Sequence, residues 1–515
     1  MHLMLSKKGS ATYATAAESV RVDGKPVKTN RVYLGRVVDL EGMVFENRER
    51  GVFTYDLETG EFGTADIERI PPKPRGKRRS VLDFGDAYVL DRHMMDMGLY
   101  DCLDGFGVRM ADTIKAMTSY YVLSDEPNSH ASVWFEGSYA SLLYPEAEMD
   151  GRRITEFLRS LGTSDLQSRF FRKYIGMICG NNPTAFIVDS TGAPNAAHMP
   201  ITAVSNHNGE INNEVRIILV CRKSDRMPIF VRYVPGNVLD STTLSRTMDE
   251  MRAMKVNLDY AILDAGYCTL ENIHDLVNSH IGFITRLKPN YELYKNMVSE
   301  HVSDLDVDRR VIHNNRFLRI LTKEHRLEGT CRNIYLHLIL DENTKAKEEL
   351  SAFRRRQEGR ITDDELRRCY ETAGLFVLVS SFWMDVKDVA PTYYERGGIE
   401  QLIDVGKGES HLGEVAVHSE EVFRGKLLLE FMALAVNQSL QNRFRNRKAE
   451  LSERKRKHKE NIPAVNMSPH FALMALRNQK CDVYESVILP RERNRIVNEV
   501  YALFGYESPR SLDIP

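Results

Sequence analysis

The sequence predicts an α/β protein built on a mixed sheet with an inserted β-rich subdomain, preceded by a small β unit and a helical region. From residue 184 onward, short apolar runs alternate with helical periodicity. Two of these runs, 184–188 and 260–263, lead directly into Asp189 and Asp264. A basic, proline-rich stretch at 71–79 separates this part from the N-terminal residues. Together these observations favour a catalytic α/β domain behind a smaller N-terminal part.

Composition limits the classes of protein that fit. The 515 residues allow two to four domains, and 42% hydrophobic with 28% charged residues is ordinary for a soluble globular protein. No apolar run reaches the roughly 18 residues that a membrane helix needs, and the first residues lack a signal-peptide core. The seven cysteines contain no Cys-x-x-Cys pair, which predicts reduced thiols and no zinc site. We therefore expect a cytoplasmic protein without a membrane partner.

The charge is unevenly distributed along the chain. A net charge of −2 argues against a uniformly basic nucleic-acid binder. However, residues 71–79 carry five bases, including Arg78 and Arg79, and residues 441–459 carry nine. Such clusters are candidate contacts for a DNA backbone, and a solvated linker or an exposed helix face is the alternative.

The N-terminal 70 residues are predicted to form a small β unit. Segments 19–22 and 32–35 are strand-like, and Asp23-Gly24 supplies turn chemistry between them. The linker at 71–79 follows, and residues 80–182 are predicted to be mainly helical.

Residues 183–288 and 373–440 are predicted to form the catalytic domain. Its expected strands are 184–189, 215–221, 229–234, 260–264 and 283–286, with helices at 239–255 and 271–278. Three antiparallel strands, a helix, a strand, a helix and a strand make a mixed sheet of the ribonuclease H type. Residues 289–372 are expected to be a β-rich insertion, and 441–515 a basic helical tail.

Three acids are predicted to converge at one end of this sheet. Asp189 and Asp264 end buried strands, where a charge is costly unless it is paired or binds a metal. Glu400 follows the last strand, 374–380. Three carboxylates suit magnesium or manganese, and two such ions support displacement at a phosphodiester. Each aspartate alone is more typical of a strand-end turn, but the three together favour a metal site.

A single helix face is predicted to carry Tyr393, Arg396 and Glu400, with Lys407 just past the helix end. We expect Pro391 in the first turn of this helix and Gly406 at its end. The face combines a hydroxyl, a guanidinium, a carboxylate and an ammonium, which suggests chemistry on a polyanion. A solvated amphipathic helix with ordinary i, i+4 pairing is the alternative.

At this point the sequence resembles bacterial DDE transposases. Asp189-Ser190-Thr191 looks like their first aspartate motif, and Asp264-Ala265-Gly266-Tyr267 is similar to the second. The spacing of Tyr393, Arg396, Glu400 and Lys407 matches the Tyr-Arg-Glu-Lys signature of the insertion-sequence-four type. The resemblance covers roughly residues 180 to 440. Further segments with a similar look are 235–237, 240–244, 283–288 and 427–437.

The resemblance implies a transposase that cleaves DNA at the ends of its element and joins them to target DNA, working as a homodimer on paired ends. It implies two magnesium ions, with manganese as a substitute, held by Asp189, Asp264 and Glu400. Tyr393, Arg396 and Lys407 would then grip the phosphates around the scissile bond. Two alternatives stay open: a ribonuclease H-like metal nuclease without strand transfer, and an inactive, domesticated DNA-binding protein.

Two features near the signature leave further questions open. Gly397-Gly398 replaces bulkier residues of the family, and glycine in a helix interior costs about 1 kcal/mol relative to alanine. The pair either permits close approach of DNA or marks a degenerate copy. Trp383 is a candidate for stacking on a flipped base, although ordinary packing is the favoured expectation. The amphipathic segment 494–504 is expected to pack against the protein, with dimer contact as the alternative.

Overall fold

The computed structural model describes most of the chain, in twelve stretches. They are residues 1–8, 11–22, 25–40, 42–65, 77–207, 210–305, 310–330, 332–409, 412–413, 415–458, 467–491 and 494–514. The predicted turn at Asp23-Gly24 and linker residues 71–76 lie outside these stretches. Within them, no helix combines the length and the apolar character that a membrane crossing requires.

The N-terminal unit is an antiparallel sheet whose six described strands lie side by side in chain order. They are β1 (His2–Lys8), β2 (Ala11–Val22), β3 (Lys25–Asp39), β4 (Val44–Asn47), β5 (Gly51–Tyr55) and β6 (Phe62–Thr64). The sheet has its own small core, centred on Leu34, Phe45 and Phe53. Strands β2 and β3 include the two predicted segments and are much longer than predicted.

A mainly helical region follows, as its periodicity indicates. It contains β7 (Ser80–Asp83), α1 (Gly85–Asp96), α2 (Leu99–Cys102), α3 (Val108–Leu123), α4 (Ala131–Gly137), α5 (Ala140–Leu143), α6 (Gly151–Leu161) and α7 (Ser164–Cys179). Phe170 and Tyr174 of α7 stack on each other and pack against Phe431 of the long helix Glu420–His458. The helical region therefore shares one apolar core with the α/β part.

The central sheet begins with β8 (Thr184–Pro194), β9 (Ala203–His207), β10 (Glu210–Arg222), β11 (Pro228–Pro235), α8 (Leu244–Ala253), β12 (Leu258–Leu263), α9 (Leu270–Asn278) and β13 (Gly282–Leu287). The spatial order is β11-β10-β8-β12-β13. Neighbours among β11, β10 and β8 are antiparallel, whereas β8, β12 and β13 run parallel. The mixed α/β sheet predicted from the sequence is confirmed, with its elements in the expected order.

The segment between β13 and the last helices extends the same sheet. It contains α10 (Glu292–His301), β14 (Arg310–His313), β15 (Arg316–Arg326), β16 (Asn333–Asp341), α11 (Glu342–Gln357), α12 (Asp363–Thr372) and β17 (Leu375–Ser380). Strand β17 pairs with β13 on one side and β16 on the other, so the order continues β13-β17-β16-β15-β14. The inserted strands thus add to the edge of the central sheet.

The C-terminal part pairs with and packs against the other regions. It contains α13 (Val386–Tyr394), α14 (Gly397–Glu409), α15 (Glu420–His458), α16 (Pro469–Arg477), β18 (Lys480–Val483), β19 (Ile488–Pro490) and α17 (Arg495–Phe504). Helix α15 is buried at every residue of 427–438, and the position expected as a boundary, 440/441, falls inside it. Strand β18 pairs with β7, and α17 buries its apolar face as expected.

Candidate active site

Strand register places the first two acids side by side. Val188 of β8 pairs with Leu263 of the parallel strand β12, so the next residues are Asp189 and Asp264. Strand β12 ends there. Strand β8 does not, because β10 keeps pairing with it as far as Pro194. The prediction that Asp189 ends its strand is therefore wrong. Asp189 lies within β8, at the level where the parallel strand β12 stops.

The predicted single helix is broken at the signature. Helix α13 ends at Tyr394, residues 395–396 form a turn, and α14 begins at Gly397. Pro391 lies inside α13 instead of in a first turn, and Gly406 lies within α14 instead of ending it. The break follows from the sequence, since two consecutive glycines have low helix propensity. Gly397 and Gly398 therefore open a helix and do not interrupt one.

The break places the Arg396 guanidinium among all three acids. Its Nη1 lies 3.2 Å from Asp264 Oδ1 and 3.4 Å from Asp189 Oδ2. Its Nη2 lies 2.6 Å from Glu400 Oε1. The three carboxylates thus converge from β8, the end of β12 and α14 on a single cationic group.

Burial and neighbouring charges together set the pKa values at this site. Burial raises the pKa of Asp189 to about 6, against the lowering effects of the Ser190 backbone N–H and Arg396. Burial lowers the pKa of Arg396, but the neighbouring carboxylates of Asp264, Asp189 and Glu400 outweigh this effect and the pKa is raised. Burial also raises the pKa of Tyr393 to about 12, so its hydroxyl is neutral and can donate a hydrogen bond at physiological pH.

Two clefts meet at the acids. One, of about 460 Å³, is lined by Asp264 and Glu400 together with the cationic or phenolic side chains of Arg286, Lys288, Tyr393, Tyr394 and Arg396. The other, of about 490 Å³, is lined by the acids Asp189, Glu214, Glu400 and Asp404 and by Lys407, among others. Glu400 contributes to both. A polyanion bound at the acids would meet cationic groups mainly in the first cleft.

Residues 180–436 match a family model described as the transposase DDE domain. This part of the chain is similar to a transposase DDE domain. The match supports a DDE transposase, and it contains the three acids and the whole signature. Among solved structures, the chain is similar to the cryo-EM structure of the piggyBac transposase synaptic complex with hairpin DNA, at 12% identity and a TM-score of 0.37. That similarity covers 71% of this chain and 70% of the other. Among curated proteins, none matches the chain.

The DDE domain holds the residue after its first aspartate through a buried network. Ser190 Oγ donates to Asp240 Oδ1 at 2.6 Å, and Arg216 Nη1 lies 3.0 Å from the same oxygen. The Gly266 backbone N–H donates to Asp264 Oδ2 at 3.4 Å. This network was not predicted, although Asp240 lies in one of the segments that looked like the family.

The other predicted site residues differ in their surroundings. Trp383 is 66% exposed, so of the expected core or rim packing the structure excludes the core. Lys407 is exposed on α14 and borders the Asp189 cleft. Arg78 pairs with Asp482 at 3.3 Å, and Arg79 is exposed beside β7. The structure brings Tyr393, Arg396 and Lys407 to the acids of the DDE domain.

The donor set fits a divalent cation. Among the described residues, no group of three or more His, Cys, Asp or Glu side chains is arranged to hold a metal ion. At the site of the three acids, each carboxylate faces Arg396. Three carboxylates around one positive charge nevertheless supply the oxygen ligands that magnesium and manganese prefer. Asp189, Asp264 and Glu400 could hold such ions once Arg396 turns away.

Proposed function

We propose that this protein is the DNA transposase of an insertion sequence of the insertion-sequence-four type. It would cleave phosphodiester bonds at the ends of its element and transfer the 3′-hydroxyl ends into target DNA. The observation that supports this most strongly is the convergence of Asp189, Asp264 and Glu400 on one cationic position between two clefts. Such a site binds divalent metal and a polyanion together.

The acids would serve as the metal ligands of the reaction. Asp189, Asp264 and Glu400 would hold two magnesium ions, or manganese in their place, and such ions would supply activation of the attacking water or 3′-hydroxyl and stabilisation of the leaving oxygen. Asp189 must give up its proton to act as a ligand, and its raised pKa of about 6 still leaves it ionised at physiological pH.

The signature residues would grip the phosphates. Arg396 suits a bidentate contact and Lys407 a point-charge contact. The buried hydroxyl of Tyr393 donates a hydrogen bond because it stays neutral. Arg286 and Lys288 continue the cationic wall of the same cleft. The exposed indole of Trp383 is available to stack on a flipped base.

The proposed partners are the terminal inverted repeats of the element and its target DNA. We place the active form as a homodimer on paired ends, associated with the nucleoid of a bacterial cytoplasm. A metal nuclease without strand transfer is the second candidate. An inactive DNA-binding descendant is the third, but a degenerate copy has no need to keep three acids converging on one point.

The test is a cleavage and joining assay on the DNA that flanks the gene, in magnesium. A transposase cleaves at short inverted repeats and joins a supplied 3′-hydroxyl end to target DNA. Each of Asp189→Ala, Asp264→Ala and Glu400→Ala should abolish both products. Normal cleavage by any of the three would remove that residue from the site. Cleavage without joining would favour the nuclease, and a wild-type protein that binds DNA without cleaving would favour the inactive descendant.

A further inference from the structure

The N-terminal sheet carries a two-stranded projection. Pairing of β1 with β2 ends at Ala17, and pairing of β4 with β3 begins only at Arg36. Between them, five residue pairs join β2 to β3, from Glu18–Thr29 to Val22–Lys25. Among the described residues, no further strand pairs with either outer edge of residues 18–22 and 25–29. We call these ten residues the β-arm.

The β-arm joins the sheet at a β-bulge. The register of β2 and β3 shifts between Ala16 and Glu18, and Asn30 opposite has a φ of 48°. The Asn30 side chain donates to Glu18 Oε2 at 2.6 Å, which fixes the bulge. A bulge bends its strand and changes the direction of the residues beyond it. The β-arm is therefore directed away from the sheet by the chain itself.

The β-arm and its foot carry exposed cations. Lys28 and Arg31 are exposed, and neither belongs to an ion pair within the described residues. The acid of the arm that the structure describes, Glu18, is already bound to Asn30. The described part of the arm and its foot therefore presents cationic groups to a polyanion such as a DNA backbone.

We propose that the β-arm enters the major groove of duplex DNA and that Lys28 and Arg31 contact the flanking phosphates. The major groove, about 12 Å wide and 8.5 Å deep, admits a two-stranded ribbon. Five paired residues at about 3.4 Å each give the arm a length of roughly 15 Å, enough to reach the groove floor. Pairing with a strand of a second copy is disfavoured, because Pro26 lacks the N–H that an added strand would use. This proposal rests on the proposed function for DNA as the partner, and it assigns the arm a part in binding the element ends.

The test is fluorescence anisotropy with a labelled mixed-sequence duplex, without metal, over a range of salt concentrations. One variant replaces residues 19–28 with Asn-Gly, a two-residue turn that closes the pair Glu18–Thr29. A second is Lys28→Ala/Arg31→Ala. The matched control is Lys7→Ala/Lys8→Ala, which removes the same charge from exposed positions on β1. Circular dichroism melting checks that each protein is folded. If the shortened protein does not fold, the conclusion is drawn from the double substitution alone.

The double substitution should reduce the slope of log affinity against log salt by about 1.8, since each lost phosphate contact removes about 0.9. The shortened protein, which lacks Lys28 and keeps Arg31, should lose at least about 0.9 of the slope, and the control should keep the wild-type slope. Methyl green, a major-groove ligand, should compete with the wild-type protein, whereas the minor-groove ligand netropsin should not. An unchanged slope in both arm variants, an equal loss in the control, or competition by netropsin alone would overturn the proposal. The assay measures DNA binding and not cleavage. The proposal for the β-arm and the catalytic proposal can therefore fail independently of each other.

Discussion

Arg396 Nη2 lies 2.6 Å from Glu400 Oε1, four residues along the chain and across the break between α13 and α14. The same guanidinium reaches Asp189 and Asp264. Arg396 therefore neutralises the same three acids that would bind a metal ion. Phosphates of a bound DNA would offer the guanidinium an alternative partner and would release the carboxylates. Metal binding and DNA binding should therefore reinforce each other.

The first prediction concerns metal binding without DNA. Because Arg396 competes for the same carboxylates, Arg396→Ala should bind Mn²⁺ at least tenfold more tightly than wild type, about 1.4 kcal/mol, while losing DNA cleavage. Titration calorimetry of the DNA-free proteins measures this. Arg286→Ala is the control, since Arg286 lines the same cleft and its cation lies over Phe376. Equal Mn²⁺ affinity in Arg396→Ala and wild type would show that the guanidinium does not compete.

The second prediction concerns the pH dependence of stability. Burial raises the pKa of Asp189 from 3.8 to about 6, so the folded state binds its proton more tightly than the unfolded state. This contribution to stability is complete below about pH 4 and is lost as the pH rises through 6. The metal-free stability of wild type relative to Asp189→Asn should therefore fall by roughly 2 kcal/mol between pH 4 and 7.5. Urea unfolding at several pH values checks it; parallel curves for the two proteins would be inconsistent with a raised pKa.

The third prediction separates the two glycines. A Cβ on Gly398 would lie 2.4 Å from Arg226 Nε, displacing a side chain that donates to Gln401 at 3.0 Å. Gly398→Ala should therefore cost about 1 kcal/mol of unfolding free energy. A Cβ on Gly397 meets nothing within 4 Å, so Gly397→Ala should be neutral or stabilise by up to about 1 kcal/mol. Each variant is the control for the other in urea unfolding, and the opposite order would contradict the packing.

The fourth prediction concerns the basic C-terminal cluster. Arg443 Nη1 lies 2.8 Å from Asp96 Oδ2 and donates to the Tyr506 hydroxyl at 2.8 Å, which ties α15 to α1 and the C-terminal residues. Arg443→Ala should destabilise the protein by about 1–2 kcal/mol and leave the salt dependence of DNA binding unchanged. Thermal melting and anisotropy measure the two effects. A reduced salt slope in a folded Arg443→Ala protein would place this residue on the DNA.

The fifth prediction concerns the linker. Arg79 is exposed, while Arg78 is partly engaged by Asp482 at 3.3 Å. Arg79→Ala should weaken DNA binding and lower the salt slope by about 0.9, and Arg78→Ala should do less because its ion pair competes with phosphate. Salt titrations of both variants provide the comparison. Unchanged salt slopes in both variants would show that these linker residues do not contact DNA.

The acids and the order of the sheet were predictable, because each depends on local sequence. Apolar runs before Asp189 and Asp264 mark buried strands, and parallel register then brings their ends together. The position of Arg396 was not predictable from helical spacing. It depends on the break at 395–396, where a regular 100° periodicity no longer applies.

Long-range pairing accounts for the other differences. Strand β8 continues past Asp189 because β10 offers a partner, and the inserted strands join the central sheet because β17 accepts β16. Likewise the sequence pattern places Arg443 in a candidate DNA-binding cluster, whereas the fold places Asp96 beside it. None of these partners is near in sequence, so composition and periodicity carry no signal for them.

The most direct test of the central claim is the rate of magnesium-dependent cleavage of an element end by Glu400→Gln, measured beside Glu395→Gln. Both changes replace an exposed glutamate by its neutral isostere, five residues apart, but Glu400 faces Arg396 with the two aspartates and lines both clefts. We expect Glu395→Gln to cleave at close to the wild-type rate and Glu400→Gln to lose activity by at least a hundredfold, about 2.7 kcal/mol. Wild-type cleavage by folded, DNA-bound Glu400→Gln would contradict a catalytic site built from Asp189, Asp264 and Glu400.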